Sequence, residues 1–253
     1  MWVGQQLADG LDFWGFLGSL ILGGIILGIY TGLLGYVGAK TGQSLDLLSQ
    51  RAFGEKGSYL PSAMTRFTQI GWFSVGSFVS GGTATPNFAR FAKNGKAGAI
   101  TTVVAFFIGN SLMFFFGAVS SIFVGGNDIF EVMVRLNLFY LAVLVLGLNI
   151  WTTNDNALYT AGLGLANIFH QRKKPMVLLS GIIGTVASVW LYYNFCGWLN
   201  ILNCTLPPVG MILVLAYFMN KEDFETDQPK LKTVDWFAVA GVILGAIVAN
   251  LLH

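Results

Sequence analysis

From Phe13 to Gly38 the chain runs without one charged side chain, and Gly, Leu and Ile dominate the stretch. That length and apolarity meet the ~20 residues a helix needs to cross a hydrocarbon core. Similar stretches follow at about 98–123, 138–168, 175–193, 197–219 and 235–252. Only 10% of the 253 residues are charged and 55% are hydrophobic, where soluble domains carry about 25% charge. The pattern predicts an all-α, multi-pass transmembrane helical bundle, one transmembrane domain over 1–253. In lipid each backbone polar group must be satisfied within its own segment, which helices do. The 32 glycines let helices approach closely, and Trp and Tyr near several span ends suit the interfacial belt.

Several function classes fall away at once. A net charge of +2 is too small to argue for nucleic acid. Cys196 and Cys204 lie in or beside an apolar segment and suggest neither a disulfide framework nor a metal site. Met1 to Gln6 lacks the basic start of a signal peptide. His170 sits in a basic loop and His253 is terminal, so neither has the buried partner that acid–base or nucleophilic chemistry requires. No P-loop or dinucleotide fingerprint is present. The chain reads as neither an enzyme nor an ATP-driven pump, with no organic cofactor.

Loop charges set the topology. Lys and Arg gather in 39–66, 90–96, 170–174 and 220–235, while 124–137 and 194–197 hold almost none apart from Arg135. The positive-inside rule places the four basic loops in the cytoplasm. Segment 67–89 then has both flanks on one side, which predicts a re-entrant or broken element over 62–90. Its Ser74-Val75-Gly76-Ser77 and Ser80-Gly81-Gly82-Thr83-Ala84-Thr85-Pro86 runs suit a break, tolerable at membrane depth only beside protein or a water-filled cavity. Ser44 opens a short stretch, Leu45 to Ser49, that reads as a capped interfacial helix. Pro207-Pro208 predicts a kink within 197–219.

Two polar islands remain in apolar surroundings. In Leu146 to Tyr159, Asn149, Thr152, Thr153 and Asn156 fall at i, i+3, i+4 and i+7, one face of a helix. An Asp at mid-membrane costs roughly 2.5–3.5 kcal/mol, so Asp155 and these oxygens suggest an ion or polar-solute path. Interhelical hydrogen bonding is the plainer alternative. The second island holds Gln69, Trp72, Ser77, Phe78 and Ser80. An amide that donates and accepts, hydroxyls and two aromatic rings suit a flat, hydrogen-bonding heterocycle. Ordinary helix packing is the alternative for the rings.

At these residues the chain resembles the nucleobase–cation symport family, in its bacterial cytosine-permease type. The matching stretches are Gly28-Ile29-Tyr30-Thr31 through Gly42, Gly57 to Trp72, Gly76 to Arg90, Phe106 to Gly117, Val145 to Tyr159, Gly181 to Trp198 and Pro207-Pro208-Val209-Gly210. The resemblance implies a LeuT-like fold of twelve helices built on inverted five-helix repeats. It implies that Trp72 and Phe78 sandwich the base and that Gln69, Ser77, Ser80 and Asn154 surround it. Asn149, Thr152 and Thr153 match the eighth-helix ligands of a coupling sodium ion, and hard oxygens suit a hard cation. Residue 1 aligns to the middle of the family's first helix. Between Phe73 and Ser77 the sequence passes from the third helix to the sixth, so much of the first repeat is missing, as is the chain after helix eleven. That junction would join two half-spans with cytoplasmic outer ends, which accounts for the parity of 67–89.

The expectation is sodium-coupled uptake of cytosine by alternating access, in the cell (inner) membrane and among its lipids. The alternatives are another nucleobase, allantoin or a hydantoin as substrate, and a shortened chain that packs in the bilayer without transporting.

Overall fold

The computed structural model describes residues 12–75, 83–125, 129–226 and 231–251. Within them every regular element is helical: α1 Phe13–Thr41, α2 Leu45–Phe53, α3 Tyr59–Val75, α4 Pro86–Ala89, α5 Gly95–Val124 and α6 Ile129–Arg135, then α7 Phe139–Phe169, α8 Lys173–Tyr193, α9 Phe195–Met219, α10 Lys221–Glu225 and α11 Trp236–Leu251. The fold is all-α. Three stretches among the described residues, Phe13–Thr41, Gly95–Val124 and Asn200–Met219, have the length and apolarity to cross a membrane. α7 matches them in length, but its Asn149–Asn156 stretch makes it more polar.

The chain divides into two compact units. One comprises Met1–Ile29 and Thr101–Thr152, the other Tyr30–Ile100 and Thr153–His253. In the first, α1 and α5 approach closely enough that a Cβ at Gly24 would press on the Phe107 ring at 3.0 Å.

The second unit is held by a core drawn from five helices. Leu34 and Val37 of α1, Leu48 and Phe53 of α2, Leu213 and Tyr217 of α9, Phe224 of α10 and Val242 of α11 pack together in it. A smaller cluster joins Ala157 of α7, Leu191 of α8 and Trp198, Leu202 and Leu206 of α9. α9 runs unbroken through Pro207 and Pro208, although the two rings deprive the Asn203 and Cys204 carbonyls of their helical donors. The Cys204 thiol is free and buried.

α2 begins where the sequence suggests. The Ser44 hydroxyl accepts from the Leu47 N–H at 3.5 Å, and Asp46 in the first turn and Arg51 in the last suit the helix dipole. It ends at Gly54, whose φ of 85° favours glycine and whose backbone lies against Lys232 and Thr233. There the Glu55 N–H donates to the Lys232 carbonyl and the Lys56 N–H to the Thr233 carbonyl, each at 2.8 Å. Basic loops 39–66 and 220–235 therefore share one end of the unit.

Both flanks of 67–89 reach that same short helix. The Leu45 N–H donates to Asn87 Oδ1 at 2.9 Å, and the adjacent Asp46 accepts from Arg66. The chain thus leaves at Arg66 and returns at Asn87 to the same end of the unit. The turn expected between them falls on residues 76–82, which lie outside the described residues.

α11 owes its start to Asp235. One carboxylate oxygen accepts from the Phe237 and Ala238 N–H groups at 3.1 and 3.3 Å, the other from Lys232 Nζ at 2.8 Å. Asp235→Ala should lower stability by about 1 kcal/mol, the usual worth of an N-cap. Asp235→Asn keeps the acceptor and should cost less than half of that. Thermal unfolding in detergent checks this, and equal losses in both variants would assign the effect to the Lys232 ion pair instead.

Candidate functional site

α7 is a continuous helix through the polar block, so Asn149, Thr152 and Thr153 stand on one face at helical spacing. Asn149 and Thr152 are exposed, while Thr153 and Asn154 are half-buried. The Thr152 hydroxyl donates back to its own helix, to the Leu148 carbonyl at 3.0 Å and the Asn149 carbonyl at 3.2 Å. Its proton is thereby committed inward and its lone pairs are left facing out. Among the described residues the side chains of Asn149, Thr153 and Asn154 make no hydrogen bond. An amide and two hydroxyls with uncommitted oxygens are chemically suited to a hard monovalent cation. The unit division falls between Thr152 and Thr153.

α3 carries Gln69 and Trp72 one turn apart near its C-terminal end. Ser77, Phe78 and Ser80 lie outside the described residues, as do the side chains of Gln69 and Trp72.

A buried charge network, which the charge pattern did not suggest, ties α3 to α7. Arg66 reads in sequence as one more basic residue at a loop edge. In the fold it is 1% exposed and pairs with Asp46, 4% exposed. Asp46 also accepts from the Ser62 hydroxyl at 2.8 Å, Ser62 accepts from Asn167 Nδ2 at 3.1 Å, and Gln50 Nε2 donates to Asn167 Oδ1 at 2.5 Å. The Arg66 side chain crosses α7 at Gly164, where any Cβ would overlap the guanidinium. Among the described residues Arg66 Nε and Nη1 are buried with no hydrogen-bond partner. Such a pair is costly to desolvate and is retained only where its geometry is enforced.

Comparison with known proteins agrees with this architecture. The family model described as permease for cytosine/purines, uracil, thiamine, allantoin matches residues 1–84 and 74–252. The chain belongs to this permease family. The cytosine permeases of three Escherichia coli strains are each 36% identical to it over 336 residues, which span 97% of the chain and 80% of the relative. As a member of the permease family, the protein is a transporter rather than an enzyme, a multi-pass protein of the cell membrane with a small-molecule substrate. A LeuT-like architecture is the one expected of that family.

The match also records a difference in length. The 336 aligned residues exceed the chain's 253 by 83, so the relatives carry at least that many residues with no counterpart here. The two matched pieces meet at residues 74–84. In this permease the described part of α3 reaches Val75, inside that interval.

Proposed function

We propose that the chain binds cytosine and carries it inward across the cell membrane, coupled to sodium by alternating access. The observation that carries this reading is similarity over nearly the whole chain to proteins named cytosine permease. The uncommitted oxygens of Asn149, Thr152 and Thr153 support sodium as the coupling ion, since hard carbonyl and hydroxyl ligands suit it. Gln69, Trp72, Ser77, Phe78, Ser80 and Asn154 are the residues we assign to the base. In this reading the two rings hold its faces, and the Gln69 amide meets its amino and carbonyl edge.

Sodium bound to α7 raises the affinity for base on the outer side. The inward potential then contributes about 2.3 kcal/mol per charge per 100 mV to moving base uphill. Asp155, exposed on α7, has no assigned proton step.

A second reading rests on the missing 83 or more residues: the chain retains the base site and does not transport. Binding of labelled cytosine to purified protein, in sodium and then in potassium, tests both. Saturable binding that requires sodium is the expected result. Binding equal in the two salts would keep the base site and remove the cation site. No binding in either salt would refute the reading. Competition by unlabelled nucleobases, allantoin and hydantoins defines the substrate, and uptake into vesicles separates transport from binding alone.

A further inference from the structure

We propose that the basic end of the groove between α7 and α8 is a site for an anionic phospholipid. Arg90, Lys173 and Tyr159 hold the headgroup, and one acyl chain lies along the groove. The proposal is independent of transport.

The headgroup end is two cations gathered on one phenol. Arg90 Nη2 donates to the Tyr159 hydroxyl at 2.7 Å, and Lys173 Nζ lies 3.4 Å from the centre of the Tyr159 ring. Among the described residues neither cation forms an ion pair, and Arg90 Nε is buried with no hydrogen-bond partner. The sequence offers them no local carboxylate: none occurs in 57–127 or in 156–221. Lys173 opens α8, whose first turn has no acid and whose N-cap side chain, Arg172, makes no capping bond. Unanswered N–H groups and two positive charges thus converge where a phosphate would be welcome.

The chain end is apolar and begins beside that cluster. A groove of about 410 Å³ is lined by Leu158, Val177, Leu178, Gly181, Ile182 and Thr185. Leu158 precedes Tyr159, and Val177 is one turn beyond Lys173. From Lys173 to Thr185 the helix rises about 18 Å, close to the ~15 Å of one leaflet's hydrocarbon. Ile182 is 64% and Val186 78% exposed along its rim, the outward face expected beside lipid. Both 90–96 and 170–174 are basic loops that charge bias assigns to the cytoplasmic side, where anionic lipids are concentrated. Charge at one end and a leaflet-long apolar track at the other select a phospholipid over a free anion.

The test is native mass spectrometry of the purified chain in detergent, with dioleoyl phosphatidylglycerol or dioleoyl phosphatidylcholine added at equal concentration. Retention of phosphatidylglycerol should exceed that of phosphatidylcholine at least tenfold, from about fivefold per basic residue. Lys173→Gln should lower phosphatidylglycerol retention about fivefold and leave phosphatidylcholine unchanged. Lys96→Gln, at an exposed base that makes no contact with Tyr159, should change neither, and Gly181→Leu, which fills the groove, should lower both. Arg90→Gln removes a bond to Tyr159 and is interpreted only if its unfolding temperature is kept; Lys173→Gln breaks no such bond and decides the matter otherwise. Equal retention of the two lipids would overturn the proposal, as would an equal effect of Lys96→Gln. Displacement of the lipid by millimolar inorganic phosphate would reduce the site to an anion site, and a dimer replacing the lipid adduct would give the groove to a second copy.

Discussion

Asp46→Ala is expected to destabilise the protein by about 3–5 kcal/mol, the cost of removing one partner from a buried pair. Arg66 already has Nε and Nη1 without acceptors, so its charge would be left with no partner on any nitrogen. The loss should also free Ser62 and, through it, Asn167 of α7. Removing both charges together, as Asp46→Leu with Arg66→Met, fills similar volume without an orphaned ion and should return most of the stability. Gly164→Ala should resemble Asp46→Ala, because its methyl would occupy the space of the guanidinium. Unfolding midpoints in detergent check all three. A double variant no better than Asp46→Ala would show that the network's hydrogen bonds matter more than its charge balance.

Trp72→Ala should weaken cytosine binding about 5- to 150-fold, the ~1–3 kcal/mol lost when a base loses an aromatic platform. Gln69→Ala should weaken it less, about 5- to 12-fold, for a hydrogen-bonding edge worth ~1–1.5 kcal/mol. Both residues sit in the last turns of α3, one and two turns beyond Arg66. Loss through general unfolding is therefore separated by comparing Trp72→Phe, which keeps a stacking face and should recover most of the affinity. Wild-type binding in Trp72→Ala would remove the base from this helix.

How much of this was legible in the chain differs from element to element. The long apolar runs announced helices because hydrocarbon leaves a backbone few other options. Ser44 announced the start of α2, since a hydroxyl before an apolar stretch caps the first free N–H groups. The spacing of Asn149, Thr152 and Thr153 gave one helix face, because helical period alone fixes it. The resemblance to a permease family was also readable, from stretches such as Val145 to Tyr159.

Arg66 was not legible. Charge counting places every Arg near a span end in solvent, and only the approach of Asp46 across a turn and of Gly164 from a distant helix makes burial affordable. The meeting of Arg90 and Lys173 on Tyr159 was equally hidden, since the two cations are 83 positions apart and share nothing local.

The sequence by itself determined that the protein is helical, membrane-embedded and a permease. Apolarity, helical period and family motifs are properties of neighbours along the chain. Tertiary structure alone decided which charges are buried and that two basic loops converge beside an apolar groove. Those outcomes depend on close approach between helices remote in sequence, where a missing Cβ or a single carboxylate decides whether an ion can leave water.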